Sequence, residues 1–170
     1  VPVDPRSKPS AEQASNWQEA IVALEQTRKL STVSSAEFDA IFLPGGHGTM
    51  FDLAGDADIK RLLKEFDAAG KIVASVCHGP AGFVGAEGKD GAPLVAGRTM
   101  TAFTDAEEHA VNLAADMPFL LESKLRSLGA KFVAGSNFTD HVETDGKFIT
   151  GQNPASSASV AKAVLKAIGH

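Results

Sequence analysis

Short apolar runs alternate with amphipathic stretches along this chain of 170 residues. Runs rich in β-branched residues predict buried strands at 39–44, 71–76, 131–134 and 147–150, with a short strand pair inside 94–102. Helical spacing predicts helices at 11–30, 56–69 and 118–128, short helical pieces at 49–53, 81–84 and from 103, and a last helix that opens in 151–157 and stops at Gly169. This alternation favours an α/β fold with a mainly parallel sheet and helices on both faces. Ligands of such sheets bind at the carboxyl ends of the strands.

One predicted strand, 71–76, stops abruptly at Cys77, the single cysteine of the chain. His78, Gly79 and Pro80 follow, and glycine permits a tight turn while proline suits the first position of a helix. The pattern predicts a strand, a sharp turn and a helix, with the thiol at the apex as in a nucleophile elbow. A thiol at a helix N-terminus is expected to be exposed and acidified. The alternative is a buried structural cysteine.

His78 is the candidate base for this thiol, provided that the turn brings its ring to the sulfur. The alternative is a surface histidine. A catalytic imidazole needs an acidic group to orient it, and Asp105, Glu107 and Glu108 stand at the next strand–helix junction. The alternative for this acidic cluster is a solvated first turn of a helix.

The loop Gly45-Gly46-His47-Gly48 follows the strand at 39–44 and is a candidate oxyanion site. Backbone N–H groups of Gly46 and His78 would face a substrate carbonyl oxygen, where negative charge develops. The loop is not a Walker phosphate loop, because no Gly-Lys-Ser/Thr follows it. The histidines at 47, 109 and 141 match no zinc spacing, so we predict no metal site.

Composition and charge restrict the remaining possibilities. The length fits a single domain, 1–170, and the net charge of −5 without a basic stripe argues against nucleic acid. The apolar runs are too short to span a bilayer. One cysteine excludes an intrachain disulfide, so we expect a reducing compartment, the cytoplasm. Residues 1–10 look like a loop already under way, which predicts an N-terminally incomplete domain.

Three separated motifs, at 41–53, 73–81 and 151–157, resemble the ThiJ/PfpI superfamily of class I glutamine amidotransferase-like domains. The resemblance is strongest to the branch of glutathione-independent glyoxalase III enzymes and heat-inducible chaperones. It implies a flavodoxin-like sandwich, a homodimer and conversion of methylglyoxal to lactate without a cofactor.

The resemblance also implies roles for individual residues. Cys77 corresponds to the nucleophile and His78 to its partner, and the family's Phe-Thr-x-x-x-Glu pattern, here 103–108, points to Glu108 as the acidic residue. Gly46 and the His78 amide would be oxyanion donors, within a substrate-binding set of Gly45, Gly46, His47 and Gly79.

One departure concerns a glutamate that the family places on a segment before the region where this chain begins. That glutamate is hydrogen-bonded to the thiol, and its segment also supplies the first strand and helix of the sheet. Nothing in residues 1–10 replaces it. The segment is therefore expected to be a separate chain, to have been removed, or to be lacking.

Three functions follow from these residues. The first is a cysteine-dependent glyoxalase acting on small 2-oxoaldehydes. The second is a stress-response chaperone or redox sensor without turnover, in which Cys77 would be an oxidation site. The third, which we rank lower, is a cysteine hydrolase or peptidase of the same superfamily.

Overall fold

The computed structural model describes residues 9–169, which belong to two compact units, 1–33 and 34–170. In the first unit, helix α1 is Ala11–Asn16, helix α2 is Gln18–Glu25, and a 3₁₀ turn follows at Leu30–Thr32. The predicted single helix over 11–30 is wrong, because Trp17 leaves the helical conformation and the second helix ends at Glu25. Neither helix contains a buried residue, so tertiary packing does little to extend either of them.

The second unit is built on a four-stranded sheet. Its strands are β1 (Ala40–Leu43), β2 (Ile72–Val76), β5 (Val142–Asp145) and β6 (Phe148–Gly151), in the order β1-β2-β6-β5. The first three in that order are parallel, and β5 pairs antiparallel with β6 across a turn at Gly146. The mainly parallel sheet was predicted, but β5 was not, because its sequence Val-Glu-Thr-Asp is polar and lies at the sheet edge.

A separate parallel pair joins β3 (Thr99–Met100) to β4 (Lys131–Phe132). The predicted strand pair inside 94–102 is therefore wrong: one short strand forms there, and its partner lies about thirty residues further along the chain.

The remaining elements are helices and 3₁₀ turns. The helices are α3 (Thr49–Asp52), α4 (Ala57–Ala68), α5 (Asp105–Ala110), α6 (Leu121–Ser127) and α7 (Ser157–Ile168). The turns are Ser35–Glu37, Leu53–Gly55, Gly79–Phe83 and Pro154–Ser156. The helix predicted to contain 81–84 is wrong, because the backbone after the elbow makes a 3₁₀ turn.

Elements pack on both faces of the sheet. One face buries a cluster beneath α7 that contains Ile72, Ala74, Val76, Ile149 and Val160. Residues alternate between the two faces of a strand, so Val73 and Phe148 lie on the other one. There the ring centroids of Phe83 and Phe148 lie 5.0 Å apart, and the Gly79–Phe83 turn approaches Ile59 of α4. The flavodoxin-like α/β prediction is confirmed.

Two predictions about the chain's organisation stay predictions. The interpretation of residues 1–10 falls mostly outside the described residues, and a preceding strand and helix are not tested. The single-domain assignment also stays a prediction. Among residues 9–169, no helix is long and apolar enough to cross a membrane.

Candidate active site

Cys77 sits at a sharp turn at the carboxyl end of β2, as the sequence predicts. Its φ of 60° lies in the left-handed region, which a residue with a side chain rarely adopts. Two backbone hydrogen bonds hold it there. The Cys77 N–H donates to the Gly151 carbonyl at 2.9 Å, and the Phe103 N–H donates to the Cys77 carbonyl at 3.0 Å. The sheet and the segment before α5 therefore fix the direction of the thiol.

Two of the predicted glycines allow the backbone to come close to this turn. A Cβ on Gly45 would lie 2.6 Å from the Cys77 Cβ, and one on Gly79 would lie 2.2 Å from the Leu43 carbonyl oxygen. Both distances are too short for a side chain, so glycine is required by packing at these positions. Gly46 has a φ of 114°, which turns the loop toward the thiol.

A hydrogen-bonded chain runs from the thiol into the protein. Cys77 Sγ lies 3.3 Å from His78 Nδ1, and His78 Nε2 lies 2.7 Å from Glu108 Oε2. All three side chains are buried. His78 is therefore not a surface histidine, and Glu108 is not part of a solvated acidic turn. Because an ionised carboxylate only accepts hydrogen bonds, Nε2 carries the proton and Nδ1 of the neutral ring can accept one from sulfur.

Helix α5 carries Glu108 to this position. The Thr104 hydroxyl accepts a hydrogen bond from the Glu107 N–H, and the Glu107 side chain accepts one from the Thr104 N–H, so the two residues form a capping box. The cap fixes the first turn of the helix, from which Glu108 reaches inward.

His47 of the glycine-rich loop completes the cluster. Its Nε2 lies 2.9 Å from Glu108 Oε1, and its ring centroid lies 4.1 Å from that of His78. One carboxylate thus accepts from two imidazoles, a buried one and a partly exposed one. His47 was predicted in the substrate-binding set, but its bond to Glu108 spans 61 residues and has no local sequence signal.

Burial dominates the acid–base properties of the thiol. It raises the pKa of Cys77 to about 11, although hydrogen bonds from the His78 and Gly46 backbone N–H groups act to lower it, and the nearby Glu107 and Glu108 carboxylates raise it further. The predicted exposed, acidified thiol is wrong, because Cys77 is buried and a short 3₁₀ turn follows it instead of a helix. Burial likewise lowers the pKa of His78, against the hydrogen bond to Glu108 that raises it.

Three side chains of this cluster also have the chemistry of a metal site. Ligand atoms of His47, His78 and Glu108 lie within 4.8 Å of one another. Both imidazoles already donate to the carboxylate, so a cation would have to break these hydrogen bonds and would occupy the ring that faces the thiol. The predicted absence of a metal site stays a prediction.

Cys77 borders two cavities. One, of about 270 Å³, is also lined by His47, His78, Phe103 and Phe138 and is largely apolar. The other, of about 460 Å³, is lined by Phe42, Val76 and Ala161 among others. Of the residues that line this second cavity, Cys77 alone has a titratable side chain. The smaller cavity is the better candidate for chemistry, because the thiol and both imidazoles face it.

Two contributors to the site were missed from the sequence: the Phe103 ring, whose centroid lies 4.3 Å from that of His78, and Phe138, which borders the smaller cavity. Glu107 was predicted only as a member of the acidic cluster, and the structure shows it fully buried. Phe103 belongs to the pattern that pointed to Glu108. The buried amides Gln152 and Asn153, directly after β6, were the available signal for Glu107.

The family is decided by comparison of the whole chain with known proteins. The profile described as "DJ-1/PfpI family" matches residues 11–167. The chain belongs to the DJ-1/PfpI family. The predicted superfamily is thus confirmed.

Individual relatives are more specific. The chain is 35% identical over 154 residues to a probable glutathione-independent glyoxalase of Schizosaccharomyces pombe, covering 86% of this chain and 68% of the relative. It is 37% identical to a glutathione-independent glyoxalase of Saccharomyces cerevisiae, covering 80% of this chain and 60% of that one. The crystal structure of glyoxalase III from Candida albicans superimposes with a TM-score of 0.87 at 30% identity, covering 97% of this chain and 73% of that one.

Proposed function

We propose that this protein is a glutathione-independent glyoxalase that converts methylglyoxal and similar 2-oxoaldehydes to 2-hydroxy acids. The observation that carries the proposal is the buried chain from Cys77 Sγ through His78 to Glu108, with hydrogen-bond distances of 3.3 and 2.7 Å, beside a cavity of about 270 Å³. Such a cavity suits a small substrate. The named glyoxalases among its relatives support the same activity.

In the first step, the thiol adds to the aldehyde carbon of the substrate. With a pKa of about 11, Cys77 holds its proton at neutral pH, so His78 Nδ1 accepts that proton as the carbon–sulfur bond forms. The aldehyde oxygen gains the negative charge, and the Gly46 and His78 N–H groups beside the sulfur stabilise it. Imidazolium then protonates this oxygen to give a hemithioacetal.

In the second step, a proton moves between the two carbons. His78, neutral again, removes the proton from the former aldehyde carbon to give an enediolate whose negative charge lies on the former ketone oxygen. His78 then returns this proton to the neighbouring carbon, while the hydroxyl proton of the former aldehyde oxygen passes to the former ketone oxygen. The product is a thioester of the 2-hydroxy acid on Cys77. Water then cleaves the thioester, which releases the acid and restores the thiol, so one water is consumed per substrate. Glu108 stabilises the imidazolium in each transfer, and His47 fixes the second oxygen of that carboxylate.

The alternatives fit these residues less well. A redox sensor needs an accessible thiolate, whereas burial keeps Cys77 protonated. A peptidase needs a cleft that accepts an extended chain, whereas the cavity shared by the thiol and the imidazoles is small and largely apolar.

Assembly and location complete the proposal. We expect a homodimer in the cytoplasm, where a reducing environment keeps the single thiol available.

The test is lactate formation from methylglyoxal in glutathione-free buffer, followed by an enzymatic lactate assay. Wild type is expected to form lactate, and Cys77→Ala is expected to form none above the uncatalysed rate. Glu87→Gln changes an exposed side chain that lines neither cavity and serves as the control that retains wild-type activity. Equal rates in wild type and Cys77→Ala would refute the proposal.

A further inference from the structure

Glu107 is a fully buried carboxylate with five hydrogen bonds. Oε2 accepts from the N–H and hydroxyl of Thr104 at 3.0 and 3.1 Å. Oε1 accepts from the Phe138 N–H at 2.7 Å, from Asn153 Nδ2 at 2.9 Å and from Gln152 Nε2 at 3.1 Å. All five are donors, which is what an ionised carboxylate requires. Glu107 thereby joins α5, the turn after β6 and the loop around 138.

That loop has a strained backbone. Phe138 has a φ of 57°, an unfavourable conformation for an aromatic residue, and it persists only where the surroundings hold it. The bond to Glu107 holds Phe138 itself. Asn153 donates to the Thr139 carbonyl at 2.9 Å, and Gln152 accepts from the Gly135 N–H at 2.7 Å. The loop is therefore anchored on both sides of Phe138 as well.

The Phe138 side chain faces the reactive cavity. It lines the cavity with Cys77, His78 and Phe103, and its ring lies 6.2 Å from that of Phe103, which in turn contacts His78. The side chain is about half exposed, so it stands at the opening. Glu107 is not among the residues that line the cavity. Its effect on a substrate would pass through Phe138.

We propose that Phe138 limits the size of the substrate that reaches Cys77, and that Glu107 is a positioning residue that holds Phe138 over the cavity. Loss of the Phe138 side chain, or of the Glu107 hydrogen bond that holds Phe138, opens the same side of the cavity. The substrate selectivity expected from this inference rests on the proposed glyoxalase activity, but access to the thiol does not, and the two are measured separately.

Access is measured by the rates at which N-methylmaleimide and N-phenylmaleimide alkylate Cys77, the single cysteine. The ratio of the two rates cancels any change in the fraction of thiolate. Phe138→Ala is expected to raise the relative rate of the phenyl reagent about tenfold. Glu107→Gln, which loses acceptor capacity while keeping the side-chain shape, is expected to raise it in the same direction, and the double variant is expected to add little. The exposed Glu87→Gln serves as the equal-charge control and should leave the ratio unchanged.

Activity is measured as kcat/KM for phenylglyoxal divided by that for methylglyoxal. Phe138→Ala and Glu107→Gln are each expected to raise this quotient, chiefly through a lower KM for phenylglyoxal. An inactive wild type with the expected maleimide ratios would refute the proposed function and leave the access inference standing.

Any one of several results would overturn the inference. An unchanged maleimide ratio in Phe138→Ala would show that this side chain does not limit access. A changed ratio in Phe138→Ala with none in Glu107→Gln would show that Glu107 does not position it. If the double variant changed the maleimide ratio by the full product of the two single changes, the two residues would act independently. If circular dichroism shows that Glu107→Gln does not fold, Gln152→Ala replaces it, because it removes hydrogen bonds to the same loop, and an unchanged ratio there would also overturn the inference.

Discussion

The resting thiol is predicted to be protonated, and this can be measured directly by titrating its reactivity. The ordinary pKa of the thiol is 9.0, and burial raises that of Cys77 to about 11. Because each pKa unit corresponds to about 1.4 kcal/mol, the folded protein favours thiol over thiolate by ~3 kcal/mol more than an exposed cysteine does. At pH 7, about one Cys77 in ten thousand is then ionised, and alkylation should be ~100-fold slower than in the unfolded chain.

The assay is the rate of iodoacetamide alkylation between pH 6 and pH 11.5, followed by intact mass. The chain has a single cysteine, so peptide mapping separates the thiol adduct from lysine and histidine alkylation at alkaline pH, and the same chain in urea is the matched control. The folded protein should react about tenfold faster per pH unit up to pH 10, while the unfolded chain levels off near its ordinary pKa. A plateau of the folded protein at or below pH 8 would refute the reasoning, since it would mean that the backbone N–H groups outweigh burial.

Three further predictions concern the base, the elbow and metals. Burial lowers the pKa of His78 below its ordinary value of 6.5, so kcat/KM should stay level as the pH falls to 6.5 and should decline only at lower pH. A decline that begins above pH 6.5 would contradict a neutral His78 base. Gly79→Ala places a Cβ against the Leu43 carbonyl and should lower the free energy of unfolding, measured in urea, by at least about 2 kcal/mol. Gly55→Ala, with no atom near its Cβ position, should change it by less than about 0.5 kcal/mol. Equal effects of the two substitutions would show that Gly79 is not required by packing. Dialysis against EDTA should leave lactate formation unchanged, and added Zn²⁺ should inhibit it by occupying the His78 ring; loss of activity in EDTA that Zn²⁺ restores would contradict the metal-free steps.

The elbow was predictable because its signals are local. An apolar run ends at a thiol, and glycine and proline follow it at positions 79 and 80. Gly79 proves necessary for the close approach to β1. The sheet was predictable for a similar reason, since buried parallel strands are continuous apolar runs. Strand β5 was missed because it is polar and pairs only at the edge.

The electrostatic environment of the thiol was not predictable from local sequence. A thiol at a helix N-terminus was expected to be acidic, but the next element is a 3₁₀ turn and the surrounding protein buries the sulfur. Cys77 is buried in a cluster with Phe103, Ile149 of β6 and Val160 of α7, which are all distant from it in sequence.

The two adjacent carboxylates show the same limit. Successive residues of a helix point about 100° apart, so only one of Glu107 and Glu108 can face His78. Spacing alone could not say which, and the resemblance to the family pointed to Glu108. The structure places Glu108 against His78 and directs Glu107 toward Phe138, Gln152 and Asn153.

The central claim is that Cys77 forms a covalent intermediate with a 2-oxoaldehyde. It is tested most directly by acid-quenching wild type during turnover of methylglyoxal and analysing the protein by intact mass and peptide mapping. We predict an adduct with the mass of one methylglyoxal on the peptide that contains Cys77, formed and lost fast enough to account for lactate production and absent from Cys77→Ala. Lactate formation by wild type without this adduct, or at an undiminished rate in Cys77→Ala, would contradict the account.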